Sequence, residues 1–98
     1  PHVIRFNSRD SWAKERFDYL ARRIGVKDLA QAVLDLNQAI GIPTSFAAIG
    51  VPAAAFHEEF ETLVENSLKG STRANPTPVS AEDMRIFLTN VFNGTLLA

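Results

Sequence analysis

Apolar residues recur along this chain at intervals of three and four, and no stretch alternates apolar with polar as a half-buried strand would. The pattern predicts an all-α fold of five to six short helices in one domain over 1–98. Pro1 to Phe6, carrying Val3, Ile4 and Phe6, reads as the closing turns of a helix whose beginning is missing. A second helix is expected over 10–24, with Trp12, Phe17, Leu20 and Ile24 as its stripe. Asn7-Ser8 and Asp10-Ser11 both offer it caps, and Gly25 stops it. Asp28 can cap a third helix over 29–40, where Leu29, Val33, Leu36 and Ile40 follow at four, three and four, widened by Leu34.

The chain then turns a corner at Gly41-Ile42-Pro43-Thr44-Ser45. Gly41 can take the left-handed conformation that closes a helix, Pro43 forbids continuation, and Ser45 or Thr44 can cap the turn that follows. A short helical turn is expected from Phe46 to Ile49, stopped by Gly50. Pro52 suits the first position of a helix over 52–69 with the cleanest stripe in the chain: Phe56, Phe60, Leu63, Val64 and Leu68. Residues 70–79 read as an extended loop tied by its own side chains, with Asn75 pinning it before Pro76. Ser80-Ala81-Glu82-Asp83 resembles a capping box opening a last helix over 81–92, which buries Met84, Phe87, Leu88, Val91 and Phe92 before Asn93-Gly94 closes it.

Composition narrows the function classes. The chain is 46% hydrophobic and 21% charged with a net charge of -1, so neither a polyanion nor a membrane surface is indicated as partner. No apolar run approaches the roughly 20 residues of a membrane span. The absence of cysteine excludes disulfides, thiolate nucleophiles and cysteine metal sites, and the expected setting is cytoplasmic. His2 and His57 are too far apart for paired ligation on one helix. Glu58, Glu61 and Glu65 share a helix face but lack convergent acids from another segment, so they read as solvated. Lys14, Arg16, Arg22 and Arg23 are interleaved with acids and read the same way. Residues 36–49 have a helix-turn-helix outline, yet Phe46-Ala47-Ala48-Ile49 has no side chain able to read a base edge.

The ordered series Pro1-His2-Val3, Arg5-Phe6-Asn7, Gly41-Ile42-Pro43-Thr44, Gly50-Val51, Asn75-Pro76 and Ser80-Ala81-Glu82-Asp83 resembles the C-terminal portion of the iron-containing (group III) alcohol dehydrogenases. The resemblance implies a fragment of the helical metal lobe of a dehydroquinate-synthase-like fold. It also implies a parent enzyme that interconverts alcohols and aldehydes or ketones with NAD or NADP. In that family iron, sometimes zinc, polarises the substrate oxygen and the nicotinamide carries the hydride. The family's metal ligands, an aspartate and three histidines, precede the segment matching Pro1-His2-Val3, so His2 is not carried over as a ligand. The resemblance thus implies neither a metal nor a dinucleotide site within these residues, and no catalytic residue.

The family's loop before Asn-Pro often carries a Cys-Thr pair beside the active-site cavity. The matching residues are Ser71 and Thr72, a departure that makes this wall more polar. From the residues alone, Ser71 and Thr72 either line a substrate pocket or only satisfy loop backbone groups. Two functions follow: structural support within a larger dehydrogenase, with the rest of that chain as partner, or a stand-alone helical interaction module. Either leaves an apolar face through which copies could associate.

Overall fold

The computed structural model describes residues 1–97. Six helices occur in order: α1 His2–Asn7, α2 Ser11–Arg23, α3 Leu29–Ala39, α4 Ala53–Glu58, α5 Phe60–Ser67 and α6 Ala81–Asn93. A 3-10 turn, Gly70–Ala74, lies between α5 and α6, and there is no strand among the described residues. The caps explain the boundaries. Asp10, rather than Asn7 or Ser8, opens α2 by accepting from the Ala13 N–H at 2.9 Å. Asp28 opens α3, and at α6 Ser80 and Asp83 exchange both bonds of a capping box, at 3.0 and 3.2 Å.

The six-residue α1 is the hub. It packs on α2 and α3 to one side and on α6 to the other, while α5 lies along α6 and α4 on α5. The core proper is small: Val64 from α5 with Met84 and Leu88 from α6, bordered by Phe56, Phe60, Leu68, Val79 and Phe87. The Gly41–Ser45 corner folds back on the end of α6, where the Phe46 and Ala47 N–H groups donate to the Val91 and Phe92 carbonyls at 3.4 and 3.2 Å.

Three expectations are corrected. The stripes of α2 and α3 are covered only in part: Phe17, Leu29 and Val33 are half-buried, but Trp12 is 68% and Ile40 61% exposed, and Leu20, Ile24 and Leu36 also face outward. Leu34 is buried as expected, and beside it the buried positions are the small residues Ala13, Ala21 and Ala30. The helix expected over 52–69 breaks at Glu59 (φ -91°, ψ 3°), with Pro52 as its cap. That bend accompanies the stacking of Phe56 on Phe92 at 4.4 Å, while Phe60 meets Phe56 edge-on at 5.3 Å. Residues 46–49 form the expected short turn, capped by the Ala48 N–H donating to Ser45 Oγ and closed at Gly50. The start of the 70–79 loop is a 3-10 turn rather than extended chain.

The resulting body measures 42 × 31 × 21 Å, a slab about two helices thick. Its accessible surface is 6525 Å², against about 5,500 Å² for a compact monomer of 10.8 kDa. Most of the large apolar side chains behind that surplus lie on α2, α3 and the corner after them.

Candidate functional site

Where α1 meets the 3-10 turn, the sequence places an amide on each side. Val3, Phe6 and Asn7 stand at i, i+3 and i+4, so Asn7 shares the face that α1 turns toward the loop. Asn7 is only 6% exposed. Its Nδ2 donates to Asn75 Oδ1 at 3.0 Å, and Asn75 Nδ2 donates back to Asn7 Oδ1 at 2.6 Å and to the Thr77 carbonyl at 2.8 Å. Thr77, also buried, directs its hydroxyl at the Asn7 carbonyl at 3.5 Å. Buried amides without partners would be costly, and here they satisfy one another.

This polar knot closes one end of a cleft of about 290 Å³, near the lower bound for a small-molecule site. Its other walls are largely apolar, from Phe6, Val79, Met84, Phe87 and Leu88. Thr72 lines the cleft; Ser71 is exposed and is not among its lining residues. The structure therefore separates the two loop residues singled out from sequence. It adds two that sequence reasoning missed, Asn7 and Thr77. Asn7 was read as a cap and as part of the Arg5-Phe6-Asn7 series, although its place one turn on from Val3 and beside Phe6 was available.

A second cavity of about 330 Å³ is bordered by His2, Arg5, Arg9, Lys14 and Asp83. Its cations already have partners: Arg5 with Asp28 at 2.6 Å, Arg9 with Asp83 at 2.8 Å, Lys14 with Asp18 at 2.6 Å. Hydrogen bonds from Arg9 and then from Ser80 hold the Asp83 carboxyl below its ordinary range. At Asp28 burial pushes upward, but the bonds from Arg5 and from the α3 N–H groups outweigh it and the pKa is lowered.

A divalent metal, as the resemblance implies, would need convergent His, Asp or Glu donors. His2 is half-buried with its ring edge-on to Phe87 at 6.1 Å, and burial lowers its pKa. His57 is exposed on α4, and Glu61 is taken by the Arg85 guanidinium at 3.0 and 3.1 Å. Among the described residues no three His, Cys, Asp or Glu side chains converge. These residues do not fit such an ion, so no chemical step is derived through one. No helix among the described residues is long and apolar enough to cross a membrane.

Comparison with known proteins gives these features a family. Residues 1–92 match the model of the Fe-containing alcohol dehydrogenase family, C-terminal. The chain is 32% identical over 95 residues to a maleylacetate reductase of Burkholderia cepacia, covering 96% of this chain and 25% of that protein. It is 28% identical over 105 residues to an NADPH-dependent butanol dehydrogenase of Clostridium saccharobutylicum, covering 97% of this chain and 26% of that protein. The chain thus spans about a quarter of the length of these curated relatives. No solved structure matches significantly. With its all-helical architecture and a match over nearly its whole length, the chain belongs to the iron-containing alcohol dehydrogenase family, in that family's C-terminal region.

Proposed function

We propose that this chain is the C-terminal helical segment of a metal-dependent, NAD(P)-linked alcohol dehydrogenase, where it supports the metal and substrate site and does not catalyse alone. The observation that carries the reading is the surplus of accessible surface, 6525 Å² against about 5,500 Å². Trp12, Leu20, Ile24, Leu36 and Ile40 face outward within it. Exposed apolar faces of this extent mark docking surfaces, and on this reading the remainder of the dehydrogenase covers them. Iron or zinc and the nicotinamide cofactor are then held by that remainder, while the cleft at Thr72 borders the substrate cavity with Ser71 at its rim. The expected compartment is the cytoplasm.

The test compares the full-length product of the gene with the isolated 98-residue chain. Both are assayed for NAD(P)-linked oxidation of butanol and reduction of maleylacetate, and for bound iron and zinc. The full-length protein is expected to turn over one of these substrates and retain metal; the chain alone should do neither. Turnover by the isolated chain, or stoichiometric tight metal binding to it, would overturn the proposal. A second copy covering the same face would instead appear as a stable dimer of the full-length protein that buries Trp12.

A further inference from the structure

We infer that Asn7 is a positioning residue for the cleft wall at Thr72, acting through Asn75; the inference rests on the proposal that this cleft borders the substrate. The connection is continuous. The Asn7 and Asn75 side chains exchange two hydrogen bonds, and the Asn75 backbone N–H donates to the Thr72 carbonyl at 3.1 Å. Both hydrogens of Asn75 Nδ2 have acceptors, one on Asn7 and one on Thr77, so the amide cannot turn over without losing bonds. Asn7 is fixed in turn by its place on α1, with its carbonyl accepting from the Asp10 N–H at 3.0 Å and from the Thr77 hydroxyl. The loop is thereby referenced to α1 across 68 residues of chain. The wall that Thr72 presents has its position set by the Asn7 amide, which borders the same cleft with both side-chain polar atoms already engaged by Asn75.

The informative substitution is Asn7→Asp in the full-length enzyme. Ionised, the new carboxylate still accepts from Asn75 Nδ2 but cannot donate to Asn75 Oδ1, and the two oxygens repel. Protonated, it has one donor and one acceptor in nearly the shape of asparagine, and burial favours that neutral form. At neutral pH, KM for the alcohol is expected to rise about tenfold, the scale of one lost buried hydrogen bond. kcat should stay within about twofold, since the chemistry itself is not touched. As pH falls, the KM ratio of variant to wild type should return toward one.

A purely structural amide would lower stability without this reversible KM change. Asn75→Ala, in the loop rather than under it, is the second variant and should raise KM without pH rescue. Wild-type KM in either folded variant, or failure of both to fold, would overturn the inference. Should the full-length protein have no alcohol dehydrogenase activity, the proposed function falls on its own. The clamp is then read from amide hydrogen exchange over residues 71–77. Faster exchange in Asn7→Asp at neutral pH, reversed on acidification, upholds it; unchanged exchange overturns it.

Discussion

Replacing Gly94 by alanine tests how the corner at 41–50 is held against α6. Gly94 closes α6 with φ 74° and ψ 22°, and a Cβ built on it would lie 3.1 Å from the Ser45 Cβ and 3.2 Å from the Thr44 carbonyl oxygen. Gly25, after α2, has nearly the same backbone (φ 76°) but nothing within 4 Å of the corresponding Cβ. Each alanine would bear the left-handed penalty, about 1–2 kcal/mol. Each would recover about 0.4–1 kcal/mol from a stiffer unfolded chain. Only Gly94→Ala adds crowding, because non-bonded carbons prefer about 3.5–4.0 Å. Thr44 and Ser45 cannot simply recede, since the next two residues are bonded to the Val91 and Phe92 carbonyls. Overpacking of this kind costs about 1–3 kcal/mol. Gly94→Ala should therefore destabilise by about 1–3 kcal/mol more than Gly25→Ala, read from urea midpoints at constant slope. Equal losses at the two sites would refute the claim that the corner is pressed onto the end of α6.

Stability should decline in acid through Asp28, Glu61 and Asp83, all held below the ordinary carboxylate range. At Glu61 and Asp83 arginine hydrogen bonds come first among the causes; at Asp28 burial opposes the shift but is outweighed by hydrogen bonds, chiefly from Arg5. Because the folded pKa lies below the unfolded one, the unfolded chain binds protons first on acidification. The contribution is complete above about pH 5 and lost as pH falls through the unfolded and then the lowered folded values. An unfolding midpoint that did not move between about pH 5 and pH 3 would contradict this. Trp12 supplies a separate check on the docking face: at 68% exposure it should be readily quenched by acrylamide in the isolated chain and protected in the full-length protein. Equal quenching in both would mean that nothing covers α2.

Helix positions and caps were readable because they depend on near neighbours in sequence. Asp10 with Ala13, Asp28 with Gln31 and Ser80 with Asp83 are all three residues apart, and each local bond formed where the residue types allowed it. The break at Glu59 was not readable: no glycine or proline marks it, and the Phe56–Phe92 stack that accompanies it joins residues 36 apart in the chain. The amide knot was half readable. Asn75 was recognised as a pin, but its partner lies 68 residues off, and no local rule names Asn7 for that role.

The partly uncovered stripes of α2 and α3 follow from what periodicity measures. It reports which positions avoid water, not which neighbour keeps water away. In α5 and α6 the two questions have one answer, since Val64, Met84 and Leu88 cover one another within these residues. In α2 and α3 the answers separate. Ala13, Ala21, Ala30 and Leu34 are buried, with Phe17, Leu29 and Val33 half-buried beside them. Trp12, Leu20, Ile24, Leu36 and Ile40 keep an apolar pattern that their nearest helices do not use. Each such side chain, if fully covered, would contribute about 1.5–3 kcal/mol, so the face represents a substantial unrealised stabilisation. A helix that covered one face, yet carried tryptophan and isoleucine toward water for no further contact, would be inconsistent with its own sequence. The inconsistency disappears if the outward residues are themselves a docking stripe. These outward side chains are what supports the proposed role of this chain as one docked segment of a larger protein.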